Sequence, residues 1–540
     1  MVLFRMVLAG ERREASGDIR TRVVCICFIT SCNMVPFLIP SKGRFKFPGC
    51  YGDDTKRCAT HMRTTDYTCP CFGREGVATS GRHTNEASSL RLTFTFFRTP
   101  PLGRNKPCSR DLALVFSSME YPPSYSHATL QHSSLGGGLT FVDFLPPCVE
   151  EGSFFSNPKY EPFGTLIRFA NDWLGLNPSW EVKTCESVEF KFGSSGLKVE
   201  QMTYLEYGEA RTHFMRCLRL WLVPRLDQSR PPQRLAYVNL IPNEVDSGGL
   251  FGSPKYETLD EVLSRYNSYV RSQPAPGRIL AVESQEMKAS AFHGFDPDRS
   301  FWHETGKRNK CFLFVLRVFF EVGPHDPEEV GIADFHPDEI DEGGCFSSPS
   351  FEPFPAVIAK ASSWCAQRNA VRFCNAQTME IKYRSGRGPD SHLMSYTEYG
   401  QAMTFYVRIL RVAFTRCLQE GVPMSPRLDM RCKTFVPVQL KYGSRKHFES
   451  LTETKKRVEA WIKATGARVL SCETPAMRLS WTHDPLANIN RSDTTNRSKR
   501  AEYWIFVIKI YLDGDYREPP AGELPPVPEP MPEEECCSMS

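Results

Sequence analysis

The sequence predicts an α+β fold of four tandem β-α-β-β repeats, each about 95 residues long, with a small antiparallel sheet covered by one helix. Three observations carry this. An aromatic–Glu pair recurs as Tyr160-Glu161, Tyr256-Glu257, Phe351-Glu352 and Phe448-Glu449, with starts 96, 95 and 97 residues apart. A second aromatic follows the first by 13 residues every time, at Trp173, Tyr269, Trp364 and Trp461. Each copy then ends on an apolar strand with one cation at a fixed place: Arg219, Arg317, Arg411 or Lys509. The repeats are expected at 139–228, 229–326, 327–428 and 429–517.

Residues 1–138 carry no sustained period, and the reading there is a poorly ordered N-terminal region. Its apolar stretch Val23–Ile39 holds Ser31, Asn33 and Pro36 and has acidic residues before it, which argues against a signal peptide or a membrane span. Cys50, Cys58, His61, Cys69 and Cys71 lack the paired spacing of a structural zinc site, so no metal is expected.

Each copy opens on a short strand ended by proline, Phe141–Pro146 in the first, Tyr237–Pro242 in the second and Ile332–Pro337 in the third. A loop follows with fixed punctuation. Gly152, Gly248 and Gly343 suit a turn at positive φ, Phe155, Phe251 and Phe346 come three residues later, and Pro158, Pro254 and Pro349 precede the aromatic–Glu pair. The fourth copy, starting near Phe435, lacks most of this loop.

The helix is read from periodicity. Phe163, Leu166, Ile167, Ala170, Trp173 and Leu174 make one apolar stripe, which Phe354, Val357, Ile358, Ala361, Trp364 and Cys365 repeat. Copy four keeps Leu451, Val458, Trp461 and Ile462, with Gly466 as its C-terminal stop. Glu161, Glu257, Glu352 and Glu449 stand where a carboxylate favours the positive end of the helix dipole.

After the helix, Trp180 to Phe192 alternates apolar and charged, the mark of a strand with one buried face. A variable polar segment and the cation-bearing strand complete the unit. A glutamate and a glycine precede the cation in three copies: Glu206 and Gly208, Glu304 and Gly306, Glu398 and Gly400. The fourth has Asn496 and Ser498 there, and its cation is Lys509. Joint loss of the acid and the guanidinium suggests that Arg219, Arg317 and Arg411 pair with Glu206, Glu304 and Glu398, or offer the arginines to an anionic group of a partner. These six are the candidate binding residues.

Composition limits the function. The net charge of +4 conceals +8 in residues 1–138, from 18 Lys/Arg and 10 Asp/Glu, which leaves −4 for residues 139–540. An acidic array is a poor general polyanion binder, so nucleic acid is not an expected partner despite the aromatics Tyr204, Tyr207, Trp302, Tyr396 and Tyr399 near the glutamates. Acidic residues before the shared glycine (Glu150, Glu151, Asp246, Asp338, Asp341) lack the spacing of a calcium loop.

The 20 cysteines read as reduced core residues: Cys185 and Cys472 stand where other copies have Val282 and Ala376, and Cys217 where they have Val315, Ile409 and Val507. That favours a cytoplasmic location over secretion. Residues 518–540 form a Pro/Glu-rich tail, read as disordered. It ends in Cys537-Ser538-Met539-Ser540, a prenylation pattern in which Cys536 offers a second lipid site, the one route to a membrane that the sequence suggests. Sequons at Asn490 and Asn496 would need the opposite compartment.

Motifs for zinc proteases, nucleophile elbows, phosphate loops and dinucleotide folds are absent, and no histidine recurs among the copies. No catalytic residue, cofactor or small-molecule substrate is therefore expected. The expected function is a non-enzymatic, multivalent protein-interaction scaffold. The alternative is an enzyme, or a degenerate one, with its site between copies, and a lipid-anchored scaffold at a membrane surface is third.

Overall fold

The helices begin where the aromatic–Glu pairs mark them. In the computed structural model they span Phe163–Leu176 (α1), Leu259–Ser272 (α2), Phe354–Gln367 (α3) and Leu451–Thr465 (α4). The structure describes strand residues 5–12, 21–30 and 33–37 and, apart from loop stretches of at most 8 residues, residues 138–529. Within these the fold is mixed α+β, with most strands in small antiparallel sheets. No helix among the described residues is long and apolar enough to cross a membrane.

The chain divides into two compact units, residues 1–117 and 118–540. In the first, Arg5–Arg12, Thr21–Thr30 and Asn33–Phe37 form one antiparallel sheet, so most of the apolar stretch Val23–Ile39 lies in strands. The proposed zinc-like cysteines and the lipidation candidates Cys536 and Cys537 lie outside the described residues.

In the second unit the helix starts differ in chemistry. Thr258 and Ser450 close capping boxes with Glu261 and Glu453, whereas Pro162 and Pro353 open α1 and α3 without a side-chain cap. Gly466 ends α4 in the left-handed region, at φ 60°. The glutamates before the helices do more than face a dipole. Glu257 and Glu449 pair with Arg265 and Arg457, both 2.8 Å away and two turns on; Glu352 pairs with Lys360, and Glu161 accepts from the Thr165 hydroxyl. Gly248 and Gly343 both have φ 74°, as the loop reading requires, whereas Gly152 is not among the glycines at positive φ. The fourth loop also forms a small hairpin, Gln439–Lys441 with His447–Phe448, although its residues lack most of the punctuation that the other three share.

Four ladders share one order: first strand, central strand, inner strand. They are Thr140–Phe144, Thr212–Pro224 and Trp180–Gly193; Leu235–Leu240, Lys310–Val322 and Gly277–Ala289; Glu328–Phe335, Thr404–Cys417 and Arg372–Arg384; and Met430–Phe435, Ile508–Asp513 and Arg468–Glu473. In the last, the central and inner strands are extended by Ala501–Phe506 and Ala476–Leu479, which pair with each other. The spans 139–228, 229–326, 327–428 and 429–517 are called the first to fourth segments below.

What the sequence read as a variable polar stretch holds a further short strand, and that strand leaves its own segment. Phe301–Glu304 pairs with the first segment's central strand, Ser395–Glu398 with the second's and Asp493–Asn496 with the third's. Thr203–Tyr207 of the first segment pairs with Ala501–Phe506 of the fourth, so the exchange closes on itself. The helix starts follow the same cycle: the N–H groups of Phe163, Leu259, Phe354 and Leu451 donate to the carbonyls of Asp298, His392, Asn490 and Glu200, at 2.8, 2.8, 2.8 and 3.0 Å.

Each helix is consequently packed on two sheets. Phe163, Leu166 and Leu174 of α1 meet Leu218, Leu220 and Leu222 of their own central strand and Phe319 and Leu235 of the second segment. Leu451, Val458 and Trp461 of α4 meet Ile508, Ile510 and Leu512 on one side and Trp221 and Cys217 of the first segment on the other. The expected arrangement of one helix on one sheet is therefore only half of the packing. The unbridged cysteines 185, 217, 365, 374 and 472 are buried within it, and burial pushes the Cys365 thiol up to about 12.

Candidate functional site

The four cations sit at the middle of the central strands, each in register with one residue of the first strand and one of the inner strand. The triplets are Asp143–Arg219–Glu186, Asn239–Arg317–Glu283, Asp334–Arg411–Gln377 and Thr434–Lys509–Glu473. All four cations are buried, with exposures of 0, 0, 2 and 1%. Arg219 donates to both oxygens of Asp143 at 2.7 and 2.6 Å, and Arg411 to both of Asp334 at 2.8 and 2.7 Å. Arg317 donates to Asn239 at 2.9 Å and lies 3.8 Å over the Phe163 ring; Lys509 lies 4.1 Å over Phe354.

This corrects the expected pairing of Arg with the glutamate ahead of it. Glu206 accepts from the Trp504 indole at 3.0 Å, and Glu398 takes the Tyr406 hydroxyl and stands 3.6 Å from Lys310. The side chain of Glu304 lies outside the described residues, while its backbone pairs with Thr212. The arginines take acids on strands beside them in the sheet, because a cross-strand neighbour is closer than a residue thirteen positions back across a turn. The signal was in the sequence: the first strands carry Asp143, Asn239, Asp334 and Thr434 at one position.

From the inner strands a second set of contacts joins the segments. The N–H and hydroxyl of Ser187 donate to Glu283 at 2.8 and 2.5 Å, those of Thr378 to Glu473 at 2.7 and 2.6 Å, and those of Thr474 to Glu186 at 2.7 and 2.7 Å. Between the second and third segments Gln377 and the Ser284 backbone exchange two bonds, at 2.8 and 3.1 Å. The buried cations close each joint: Arg219, Arg317, Arg411 and Lys509 donate to the hydroxyls of Thr474, Ser187, Ser284 and Thr378 at 2.9, 2.6, 2.7 and 2.7 Å.

Charge is balanced in three joints and not in the fourth. Arg317 faces Glu283 alone, Lys509 faces Glu473 alone, and Arg411 has Asp334 with the neutral Gln377. Arg219 has both Asp143 and Glu186. Burial pushes the Glu186 carboxyl up to about 7, against the pull of Arg219 and its hydrogen bonds. Burial also brings the Lys509 ammonium down to about 8.

These inner strands line a cavity of about 350 Å³ that draws its walls from all four segments. Beyond the joint residues it is lined by Glu189, Glu286 and Glu380 at one recurring position, by Glu206 and Glu398, and by Arg478. Of its eight glutamates six pair with cations set behind the lining: Glu186 with Arg219, Glu283 with Arg317, Glu473 with Lys509, Glu189 with Arg216, Glu380 with Arg408 and Glu398 with Lys310. Aromatics stack across the exchanged strands around it: Phe214 on Trp302 with centroids 4.8 Å apart, Phe312 on Tyr396 at 5.0 Å and Tyr204 on Trp504 at 5.9 Å. Glu189 meets Arg216 at 2.5 Å and the Trp302 indole at 3.2 Å; Glu380 meets Arg408 at 3.0 Å and Thr494 at 3.2 Å. Tyr396 hydrogen-bonds Glu286, and burial raises its hydroxyl pKa well above the ordinary value. Sequence reasoning named Glu206, Glu398, Tyr204, Trp302 and Tyr396 but missed Glu189, Glu286, Glu380, Arg478, Phe214, Phe312 and Trp504.

Among the described residues no three metal-ligating side chains converge as a metal site would need. The acidic loops are engaged locally: Asp246 accepts from the Gly248 N–H and Asp341 from that of Gly343, at 3.0 and 2.9 Å. No protein-family model, curated protein or solved structure matches this chain.

Proposed function

We propose that residues 139–517 are four copies of one β-α-β-β unit closed into a ring, and that the protein binds a small organic cation in the cavity on the ring's axis. The observation that carries this reading is the lining, which sets carboxylates beside aromatic faces: Glu189, Glu206, Glu286, Glu380 and Glu398 with Tyr204, Trp302, Tyr396 and Trp504. Carboxylates attract a cation, and aromatic faces favour an organic one over a hydrated metal ion. The volume suits a small molecule.

The site lies between copies, as the enzyme-like alternative required, and the interlocked strands argue against four independently presented domains. Titration calorimetry of the full chain with agmatine, choline and spermidine, and with citrate and phosphate as anions, tests the reading. At least one cation should bind, and Glu286→Gln with Glu380→Gln should weaken it at least fivefold. Binding of the anions alone, or of none of these probes, refutes it.

A second reading, the multivalent protein scaffold, draws support from the loop hairpins. Val149, Val245 and Ile340 occupy one position in three of them, are 63, 68 and 69% exposed, and have an acidic neighbour on at least one side. A photo-crosslinker at Val245 that yields one discrete adduct in cells, lost when Val149 and Ile340 are also changed to Ser, would favour it. An unchanged adduct would count against it.

A further inference from the structure

The fourth wall of the cavity differs from the other three. Where Glu189, Glu286 and Glu380 stand, the fourth inner strand has Ala476. Two residues on, the other inner strands carry Lys191, Lys288 and Lys382, and each ammonium donates to a strand carbonyl: Leu205, His303 at 3.3 Å and Thr397 at 2.6 Å. The fourth carries Arg478, which behaves otherwise. Its guanidinium lies 4.5 Å over the Trp504 ring, its side chain is 10% exposed, and its Nε is 3.0 Å from Glu502. Its Nη1 faces no hydrogen-bond partner. A buried charged donor with nothing to donate to is costly, and a ligand oxygen in the cavity would relieve it.

The surroundings decide which oxygen. Glu502 already neutralises Arg478, and Glu380 and Glu206 act on it as well. A ligand carboxylate or phosphate would meet these acids together with the arginine. A carbonyl oxygen takes the hydrogen bond without that repulsion. We infer that the ligand is an organic cation that also carries a neutral carbonyl, as an amide or ester does, with its carbonyl oxygen on Arg478 Nη1 and its cation among Glu189, Glu286 and Glu380. This rests on the cation reading of the cavity and narrows it to one chemical class.

Three probes of equal chain length separate the possibilities by calorimetry on the full chain: hexylamine, 6-aminohexanamide and 6-aminohexanoate. The amide should bind about tenfold more tightly than hexylamine, the worth of one hydrogen bond to a charged donor, and the carboxylate no more tightly than hexylamine. Arg478→Met should abolish the difference between the amide and hexylamine, both measured on that variant; Arg478→Lys, which keeps the charge without the fork, should lose most of the preference. If the variants do not fold, the order of the three probes on the native chain decides. Equal binding of amide and hexylamine overturns the role of Arg478 and leaves the cavity reading standing. Tightest binding by the carboxylate also overturns it. Binding by none of the three overturns the amide inference, and the cavity reading falls with it only if agmatine, choline and spermidine also fail to bind.

Discussion

Thr474 gives both its backbone N–H and its hydroxyl to Glu186, at 2.7 Å each, across 288 residues of chain. The contact joins the last segment to the first, and it holds the one joint with a surplus carboxylate. A carboxyl whose pKa is higher folded than unfolded binds its proton better in the native state. Its stabilisation is complete below the unfolded value of 4.5 and is lost as pH rises towards about 7. Glu186→Gln should remove that slope, since Gln377 already fills the same role at another joint. Urea unfolding from pH 5 to 8 should show the native chain losing up to about 3 kcal/mol relative to the variant. Parallel curves would show that Glu186 is ionised throughout.

Arg411 and Asp334 should be strongly coupled and Arg411 and Glu398 should not. Removing either partner of the buried pair should cost about 3–5 kcal/mol, because the other charge is left without its counterpart. In double-mutant cycles the Asp334–Arg411 coupling should exceed about 2 kcal/mol, with the Glu398–Arg411 term within about 0.5. The reverse order would restore the pairing expected from sequence spacing.

The two tryptophans at the helix ends should differ. Trp461 is 1% exposed, packs edge-on against Phe435 and Tyr516, and donates its indole N–H to Glu518 at 2.8 Å. Trp461→Ala should cost about 3–5 kcal/mol. Trp173 is only half-buried, with Phe144 edge-on at 6.5 Å, and its loss should cost about 1–2 kcal/mol. Equal costs, measured by urea unfolding, would show that exposure misplaces one of them.

Residues 139–529 should unfold in one calorimetric transition, with the van't Hoff and calorimetric enthalpies equal. Residues 229–326 alone should not fold, because their central strand lacks Ser395–Glu398 and their helix start lacks the His392 carbonyl. A folded, cooperatively melting fragment would make the exchanged strands dispensable.

The local features of this fold were legible in the sequence. Helix starts, apolar stripes and the glycine turns depend on neighbours within a few residues, and the cation-bearing strands announce themselves by alternation. The strand Thr203–Tyr207 was not legible, because its partner lies in another segment and no hairpin turn links the two. For the same reason Arg219 was matched to Glu206 in place of Asp143, 76 residues upstream. Glu189 reads as the polar side of an alternating strand, and only the meeting of the inner strands at one cavity turns it, with Glu286 and Glu380, into a lining.

The exchange of strands also sets an order of events during synthesis. Phe301–Glu304, Ser395–Glu398 and Asp493–Asn496 begin 89, 85 and 89 residues after the start of the central strand that each one joins, so three seams can zip as the chain emerges. Thr203–Tyr207 has to wait for Ala501–Phe506, which is made 294 residues later. At roughly 5–20 residues per second the nascent chain carries that unpaired edge for about 15–60 s, the interval in which pairing with another chain competes with closure.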